Sequence, residues 1–400
     1  MAAAEALEAH KNAVTLRLEK IRSTSKSIVT KRESISKREI TELVRPNILE
    51  LTAYSSARSE FKGSAEVFLD ANENPFENGM NRYPDPLQRE LKREIGKWRN
   101  ISPKNIFLGN GSDEIIGLLM QTFCRPQRDG VIILPPTFGV YQVAAGIGEI
   151  NVKRINLDDN FQPQVNVILK SAAANDKILF LCSPNNPTGN SFDFEKIEKL
   201  IREFDGIVVV DEAYIDFSKN PTCVDLLEKY PNLIVLQTFS KALGMAGARL
   251  GIAFAAEEII GYLNKVKMPY NINELTQRAA LQALAKKEIF DQQIQTILHQ
   301  RNLLESELQK FACIQKIYPS DANFLLVKTA HPDQLYQFLV SRKIIVRNRS
   351  KQVGCAGCLR LTVGLEEENY RLIESLKIYE EQNLVTKNKT KKNEKSTFSR

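Results

Sequence analysis

Short apolar runs rich in β-branched residues alternate with helical stretches from Asn105 onward. This alternation is typical of βαβ units, in which a mainly parallel sheet lies buried between helices. The runs are Ile106–Leu108, Val131–Leu134, Lys177–Cys182, Gly206–Val210, Leu233–Gln237 and Leu250–Phe254. The pattern therefore predicts an α/β fold whose large central sheet is mainly parallel and flanked by helices.

The pattern changes after about residue 285, where a long charged helix is predicted through Gln300 and Leu308. Short strands are then predicted at Phe324–Val327, Ile344–Val346 and Leu359–Val363, with a closing helix near Glu366–Gln382. The segment from Thr41 to Asn81 has many turn residues and little periodicity, which favours an arm lying over other elements or a partner subunit.

These changes divide the chain into five parts. They are a basic N-terminal extension (1–40), an arm joining the small domain (41–75), a large α/β domain (76–285), a smaller α+β domain (286–386) and a disordered basic tail (387–400).

The net charge of +7 lies in the two ends of the chain. Residues 1–40 carry nine Lys and Arg against five Glu, and residues 387–400 carry six Lys and Arg against one Glu. The body between them is close to neutral, which argues against a nucleic-acid partner. No apolar run approaches the roughly 20 residues that span a bilayer, so no membrane partner is expected. The six scattered cysteines favour reduced thiols and a cytoplasmic protein.

Polar side chains follow several of the apolar runs, and the carboxyl ends of parallel strands are where α/β folds bind ligands. Asp211 comes directly after the run Gly206–Val210. An acid there is costly unless a cation pairs with it, and the protonated pyridine nitrogen of pyridoxal 5'-phosphate would be such a partner. Tyr214 would then reach the hydroxyl group of the same ring. Taken alone, an Asp at this position is more often a helix N-cap.

Two further loops follow strands in the same way. The loop 183–189 is rich in turn-forming residues, and its Asn186 would donate an amide hydrogen to the oxygen on the cofactor ring. A second loop opens a predicted helix, where backbone amides form an anion site suited to a phosphate. The residues of this second loop are Gly111, Ser112 and Asp113. Either loop alone is also an ordinary turn.

The loop after the fifth apolar run carries Lys241. A lysine at this sheet edge can condense with an aldehyde, and burial near cations lowers its pKa toward the useful range. Thr238, Ser240 and Arg249 supply hydroxyl and guanidinium donors for one phosphate. Once substrate displaces it, the amine of Lys241 would carry a proton from the substrate α-carbon to the cofactor. A single lysine is usually a solvated charge, but the four loops together predict a pyridoxal 5'-phosphate site.

The motifs Asn186-Pro-Thr-Gly189, Asp211-Glu-Ala-Tyr214, Ser240-Lys241 and Arg249 resemble, in this order, those of the fold-type I, class I and II aminotransferases. Further stretches resemble the histidinol-phosphate aminotransferases more closely. They begin at Leu43, Leu51, Asp70, Asn81, Pro135 and Gly357. The similarity runs from about Leu43 to Gln382, and it implies a homodimer with active sites at the subunit boundary.

The resemblance also implies a reaction, the exchange of an amino group between L-histidinol phosphate and 2-oxoglutarate, giving imidazole-acetol phosphate and glutamate, in L-histidine biosynthesis. By position, Phe138 would stack on the cofactor ring, where many relatives have Tyr. Arg360 would bind the glutamate carboxylate and the substrate phosphate in turn, with Arg347 as a helper. Tyr54 would add a hydroxyl at the substrate phosphate, and Tyr83 would reach the neighbouring subunit's cofactor site. The substrate-binding residues are then Tyr54, Asn186, Arg347 and Arg360.

Other functions share part of this pattern. Another class I and II aminotransferase, acting on aromatic or other amino acids, or a related decarboxylase of a phosphate-bearing substrate, would use the same cofactor loops. A transcription regulator with an aminotransferase-like sensor domain would use the basic leader on DNA, but forty residues without a clear helix-turn-helix disfavour it. Cys355 and Cys358 have the spacing of half a metal site, yet no second pair accompanies them, so structural cysteines and no metal are expected.

Residues 1–18 resemble something else, the C-terminal tail of histidinol dehydrogenases. In that tail a Glu and a His five apart, here Glu5 and His10, belong to a zinc-dependent site, and Ala6 stands where that family usually has Gly. Because the other ligands come from the rest of those enzymes, His10 should bind no metal here. We expect that the start codon of this sequence was assigned inside a preceding, overlapping or fused dehydrogenase gene. A targeting or docking helix is the alternative.

Overall fold

The computed structural model describes residues 38–54 and 66–397, with side chains through residue 382. The expectations for Glu5, Ala6 and His10 lie outside these residues. From Arg38 the chain forms one compact unit.

Helices and strands alternate through most of the described chain. The helices are α1 (Ile40–Leu43), α2 (Pro46–Leu49), α3 (Arg89–Arg99), α4 (Gly111–Phe123), α5 (Val140–Ile147), α6 (Val165–Ser171), α7 (Phe194–Glu203), α8 (Glu257–Val266), α9 (Glu274–Leu284), α10 (Lys287–Leu308), α11 (Pro332–Ser341) and α12 (Glu366–Thr397). The strands are β1 (Ile106–Asn110), β2 (Gly130–Ile133), β3 (Asn151–Arg154), β4 (Asp176–Cys182), β5 (Ile207–Asp211), β6 (Leu233–Thr238), β7 (Leu250–Ala255), β8 (Ile314–Ile317), β9 (Phe324–Thr329), β10 (Arg347–Asn348) and β11 (Cys358–Thr362). Short 3₁₀ turns lie at Pro103–Asn105, Ile215–Phe217, Cys223–Leu226 and Ala246–Ala248.

The large sheet has the strand order β1-β7-β6-β5-β4-β2-β3. Strands β3, β2, β4, β5 and β6 are parallel to one another, whereas β7 runs antiparallel to both β6 and β1. The predicted α/β fold with a mainly parallel sheet is thereby confirmed.

Both faces of this sheet are buried, which explains its nearly continuous apolar strands. In β5, Val208 and Val210 face one apolar layer, and Ile207 and Val209 face the other, because successive side chains alternate across a strand. Helices α3 and α7 cover the first layer, and α4 and α8 cover the second. The sheet is thus held rigidly between two helical layers, and its carboxyl edge stays open for polar loops.

The smaller sheet is antiparallel, with the order β10-β11-β9-β8. Its apolar face packs on Leu304 and Leu308 of α10, Leu335 of α11 and Leu372 of α12. This sheet brings the residues of β10 and β11 toward the carboxyl edge of the large sheet. The division into a large and a small domain at residue 285 stays a prediction.

Some elements differ from the sequence-based expectations. Strands β3 and β8 were not predicted, because their residues are polar and only partly buried and therefore lack an apolar signal. Ile344–Val346 forms no strand, and the pairing with β11 begins only at Arg347. Helix α12 continues to Thr397, where a disordered tail was predicted from residue 387. The residues after Glu366 include no Gly or Pro that would end a helix.

The arm begins on the large sheet's side of the molecule. Ile40, Leu43 and Ile48 pack in the apolar layer of α4 and α8, and the Arg45 N–H donates to the Thr122 carbonyl at 3.0 Å. This first part therefore joins the large sheet's layer, where the sequence predicted an arm joining the small domain. No helix in residues 38–54 or 66–397 is long and apolar enough to cross a membrane.

Candidate active site

Four strand ends meet at one edge of the large sheet. Cys182 at the end of β4 pairs in register with Asp211 at the end of β5, and β6 ends beside them at Thr238. Because β7 is antiparallel, its first residues lie opposite the ends of both β6 and β1. The loops predicted to carry chemistry therefore converge at this edge.

A cavity of about 240 Å³ lies at this edge. Twelve of the fifteen predicted site residues line it, so the loops chosen from the sequence do assemble in space. These residues are Gly111, Ser112, Asp113, Phe138, Asn186, Asp211, Tyr214, Thr238, Ser240, Lys241, Arg249 and Arg360.

Asp211 is buried at the floor of the cavity. Its carboxylate accepts hydrogen bonds from the Tyr141 hydroxyl at 2.6 Å and from the Ala213 N–H at 3.1 Å. Burial raises the pKa of Asp211, and these two hydrogen bonds oppose that rise. Both donors are neutral, so a cation in the cavity would add the charge compensation that the carboxylate lacks.

Lys241 is partly buried beside Asp211, in the turn that follows β6. Its Nζ lies 5.6 Å from the centre of the Tyr214 ring. Burial lowers the pKa of Lys241, and the positive charges of Arg360 and Arg249 lower it further against the opposing effect of Asp211. The environment thus favours the neutral, nucleophilic amine.

The start of α4 forms a cradle for an anion. Gly111 has a φ of 75°, and a Cβ there would lie 2.5 Å from Nη2 of Arg249. Arg249 also donates from Nη2 to Oδ2 of Asp113 at 3.2 Å. A glycine is required at position 111 by both its backbone conformation and this close approach. Helix N-terminal amides and a guanidinium therefore face the same space.

Two hydroxyl groups, those of Thr238 at the end of β6 and Ser240 in the turn after it, lie at the cavity and make different hydrogen bonds. The Thr238 hydroxyl donates to the Leu250 carbonyl at 3.2 Å and accepts from the Ser240 N–H at 3.1 Å. Thr238 therefore uses its donor on strand β7, whereas the sequence predicted it as a phosphate donor. Ser240 remains the hydroxyl of this turn that can donate into the cavity.

Arg360 of β11 enters the cavity from the smaller sheet. Its Nη1 donates to Oδ1 of Asn186 at 2.5 Å, and its Cζ lies 5.1 Å from the centre of the Phe324 ring. Because the Asn186 oxygen is occupied in this way, its amide nitrogen is left to donate toward a ligand. Burial lowers the pKa of Arg360.

Three predicted residues lie away from this cavity. Tyr54 is 74% exposed, and Arg347 is an exposed residue of β10. Tyr83 stacks on Tyr270 with ring centres 4.4 Å apart, in a separate groove of about 480 Å³. None of the three contributes to the cavity of its own chain, so any role for them there requires a second subunit or a movement.

The cavity also contains residues that were not predicted. Cys182, Ala213 and Arg349 line it, and Tyr141 lies beneath it. Cys182 directly precedes the predicted loop 183–189, and Ala213 lies between Asp211 and Tyr214. Their positions next to strand ends could therefore have identified them from the sequence. Tyr141 and Arg349 had no such signal, because their orientation depends on how α5 and β10 pack. Within the described residues, no group of three or more His, Cys, Asp or Glu side chains could hold a metal ion.

The side chains fit a phosphorylated pyridine aldehyde. Gly111 keeps open a space that a Cβ would fill, next to the Arg249 guanidinium. The buried carboxylate of Asp211 suits a pyridinium nitrogen, and the amine of Lys241 suits an aldehyde carbon. Phe138 lines the same space and offers an aromatic face. Each chemical group of pyridoxal 5'-phosphate therefore has a matching side chain in the cavity.

Comparison with known proteins gives a consistent picture. The family described as "Aminotransferase class I and II" matches residues 57–376. The histidinol-phosphate aminotransferase of Christiangramia forsetii is 49% identical over 340 residues, covering 84% of this chain and 97% of its own length. That of Cytophaga hutchinsonii is 50% identical over 341 residues, covering 84% and 98%.

Solved structures agree with these matches. The histidinol-phosphate aminotransferase of Clostridium acetobutylicum is similar with a TM-score of 0.70 and 25% identity, covering 76% of this chain and 92% of that one. The chain therefore belongs to the class I and II aminotransferases, a family that depends on pyridoxal 5'-phosphate.

Proposed function

We propose that this chain is a histidinol-phosphate aminotransferase, which exchanges an amino group between L-histidinol phosphate and 2-oxoglutarate in L-histidine biosynthesis. The observation that carries the proposal is the meeting of Lys241, buried Asp211 and the guanidinium of Arg360 in one cavity. An amine, an acid for a pyridinium and an anion receptor are what the transfer of an amino group from an anionic substrate requires. The name shared by relatives about half identical in sequence supports the choice of substrate.

Pyridoxal 5'-phosphate, when bound, supplies an electron sink that stabilises the carbanion at the substrate α-carbon. Asp211 would hold the positive charge of the ring nitrogen, and Tyr141 and the Ala213 N–H would orient its carboxylate. The Asn186 amide and the Tyr214 hydroxyl would donate to the ring oxygen, and Phe138 would pack on the ring face. Each of these roles is supported by the position of the side chain in the cavity.

The cofactor phosphate would lie at the start of α4. Backbone amides of Gly111, Ser112 and Asp113 would donate to it, together with the Ser240 hydroxyl and the Arg249 guanidinium. Gly111 is supported in this role because its missing side chain leaves room for Arg249.

Lys241 would move the proton of the reaction. Its lowered pKa favours the neutral amine, so Nζ would accept the proton that leaves the substrate α-carbon and hold it for delivery to the cofactor. Tyr214 lies beside this amine and Asp211 compensates its charge once it is protonated.

We also propose a cytoplasmic homodimer that acts on small molecules. Tyr54 and Tyr83 would then serve a partner's site, which accounts for their position outside their own cavity. The six free cysteines, all described and unpaired with one another, favour a reducing compartment.

Replacement of Lys241 by Ala tests the chemistry. We expect loss of amino transfer from L-histidinol phosphate by about a thousandfold or more, because no other group holds the migrating proton. The measurement is the absorbance change of the bound cofactor when each amino donor is added. Lys219→Ala, which removes an exposed lysine that does not line the cavity, should leave the change intact.

A panel of donors tests the substrate. The wild-type enzyme should respond to L-histidinol phosphate and glutamate, and only weakly to phenylalanine. A response to phenylalanine without one to L-histidinol phosphate would replace this proposal by an aromatic aminotransferase.

A further inference from the structure

A second guanidinium, that of Arg349, faces the cavity next to Arg360. Arg349 directly follows β10, and its N–H donates to the Cys358 carbonyl at 2.9 Å. This bond holds the backbone of Arg349 against the strand that carries Arg360. The resemblance pointed to Arg347 as a helper, but Arg347 is exposed and the cavity is lined by Arg349 instead.

The two guanidinium groups lack an opposite charge. Within residues 38–54 and 66–382, neither Arg349 nor Arg360 forms an ion pair with a carboxylate, and burial, together with the positive charge of Arg347, lowers the pKa of both. The Nε atoms of both arginines are buried without a hydrogen-bond partner. Burial, and next the charge of Arg360, lower the pKa of Arg349 to about 10, so it is still charged at neutral pH.

Two partly buried like charges are costly unless a ligand compensates them. A carboxylate brings one negative charge and satisfies one guanidinium. A phosphate monoester brings a charge of about −1.5 to −2 and three acceptor oxygens, enough for both. The pair is therefore complementary to a doubly charged anion.

We propose that Arg349 is the residue that makes this site prefer a phosphate monoester over a carboxylate. Arg360 binds either anion through the guanidinium N–H groups that the hydrogen bond from Nη1 to Asn186 does not use. Arg349 adds the second charge and the second donor set, which only the phosphate can use fully. The inference rests on the proposed function for the identity of the phosphate-bearing substrate, but the preference itself can be measured without it.

The experiment compares three variants of the cofactor-loaded enzyme. Arg349→Gln removes the charge, Arg349→Lys keeps the charge but loses the planar fork, and Lys351→Gln removes one exposed positive charge from the same loop as the matched control. Apparent dissociation constants for L-histidinol phosphate and glutamate come from the concentration dependence of single-turnover rates. Inorganic phosphate is titrated separately as an inhibitor of the glutamate reaction.

We expect Arg349→Gln to weaken the binding of L-histidinol phosphate and of inorganic phosphate by about tenfold to a hundredfold, because charge-assisted hydrogen bonds are lost. The binding of glutamate should weaken by less than about threefold, since glutamate loses only a screened long-range charge effect. Arg349→Lys should fall between wild type and Arg349→Gln, and Lys351→Gln should match wild type. An equal loss for phosphate and glutamate, or no loss for phosphate, overturns the inference.

The two proposals fail in different ways. If wild-type enzyme does not accept L-histidinol phosphate, the proposed function is wrong, while inhibition by inorganic phosphate still decides the role of Arg349. If wild-type enzyme accepts it and Arg349→Gln binds it equally well, only the inference is wrong. Thermal unfolding checks the fold, and Arg349→Lys supplies the answer if the Gln variant does not fold.

Discussion

Asp211 is the last residue of strand β5, a second acid, Glu212, follows it directly, and their surroundings give them different tasks. Asp211 lines the cavity and accepts two hydrogen bonds, whereas Glu212 accepts from the Thr222 hydroxyl, the Cys223 N–H and Gln237. Burial raises the pKa of both carboxyl groups. Glu212 is satisfied by neutral donors within the fold, while Asp211 keeps capacity for a ligand. A buried carboxylate therefore serves binding at one position and structure at the next.

Tyr141 should control the charge of Asp211. Replacement by Phe removes one hydrogen bond while the ring can still stack on Phe180, now 4.6 Å away between centres. That hydrogen bond lowers the pKa of Asp211, so its loss lets burial raise the pKa further. Asp211 then becomes protonated at a higher pH, and the acidic limb of the kcat/KM profile should move toward higher pH.

We also expect Tyr141→Phe to hold the cofactor about tenfold more weakly at neutral pH. Cofactor release during dialysis and the pH profile are the measurements. Tyr379→Phe, a buried tyrosine of α12 in the smaller sheet's layer, is the control and should change neither. An unmoved acidic limb in Tyr141→Phe would show that Asp211 does not depend on this bond.

Residue-level prediction from the sequence succeeded where the local neighbourhood decides position. Lys241 and Asp211 follow buried strands, and the end of a strand fixes which edge of the sheet they reach. Arg349 and Tyr141 could not be chosen in this way. Strand β10, which contains Arg347, ends at Asn348. The strand alternation that would place the side chains of Arg347 and Arg349 on the same face therefore does not extend to Arg349. The orientation of Tyr141 depends on the packing of α5.

At the scale of elements, the contact between β7 and the start of α4 shapes the anion cradle. A Cβ at Gly251 would collide with the backbone of Gly111 and Ser112, so β7 can approach the helix only with glycine there. Gly111 itself adopts a φ of 75° beneath Arg249. Two glycines, Gly111 and Gly251, thus allow strand β7, the start of α4 and the Arg249 guanidinium to lie close together.

Gly111→Ala should damage the cradle, while Gly117→Ala in the same helix should not. Alanine at position 111 incurs about 1–2 kcal/mol of backbone strain and displaces Arg249, so cofactor affinity should fall by at least about tenfold. A Cβ at Gly117 meets nothing within 4 Å, and alanine there should stabilise the helix by about 0.5–1 kcal/mol. Thermal unfolding with and without cofactor measures both effects. Equal cofactor affinity in the two variants would contradict the role given to Gly111.

The elements themselves were predictable where burial leaves a mark on the sequence. Strands β4 to β7 are wholly buried and read as apolar runs, and α10 was predicted through Leu308, where it ends. Strand β3 is partly exposed, and it pairs only with β2 at the edge of the sheet. Its position comes from hydrogen bonding to a neighbour and leaves no apolar pattern to detect.

At the scale of the whole molecule, large apolar side chains are exposed along the arm and beside the groove of Tyr83. Leu69 is 91% exposed and Phe76 80% exposed, and Leu275 lines the groove. Exposed apolar surface of this kind marks a region that another protein covers. A second copy of the chain would bury it, as the proposed homodimer requires, and would carry Tyr83 to a neighbouring site.

Complementation between two inactive chains tests whether Tyr83 works across the dimer. Lys241→Ala and Tyr83→Ala are co-expressed with different tags, and hybrids are purified through both. In a hybrid, the site that keeps Lys241 receives an intact Tyr83 from its partner, so one site of the two should recover, giving about half of wild-type activity per hybrid dimer. Lys241→Ala combined with Asp211→Ala is the matched control, because each chain's own cavity stays broken. If the Tyr83 hybrid is as inactive as this control, or if Tyr83→Ala alone retains full activity, Tyr83 does not serve the partner's site.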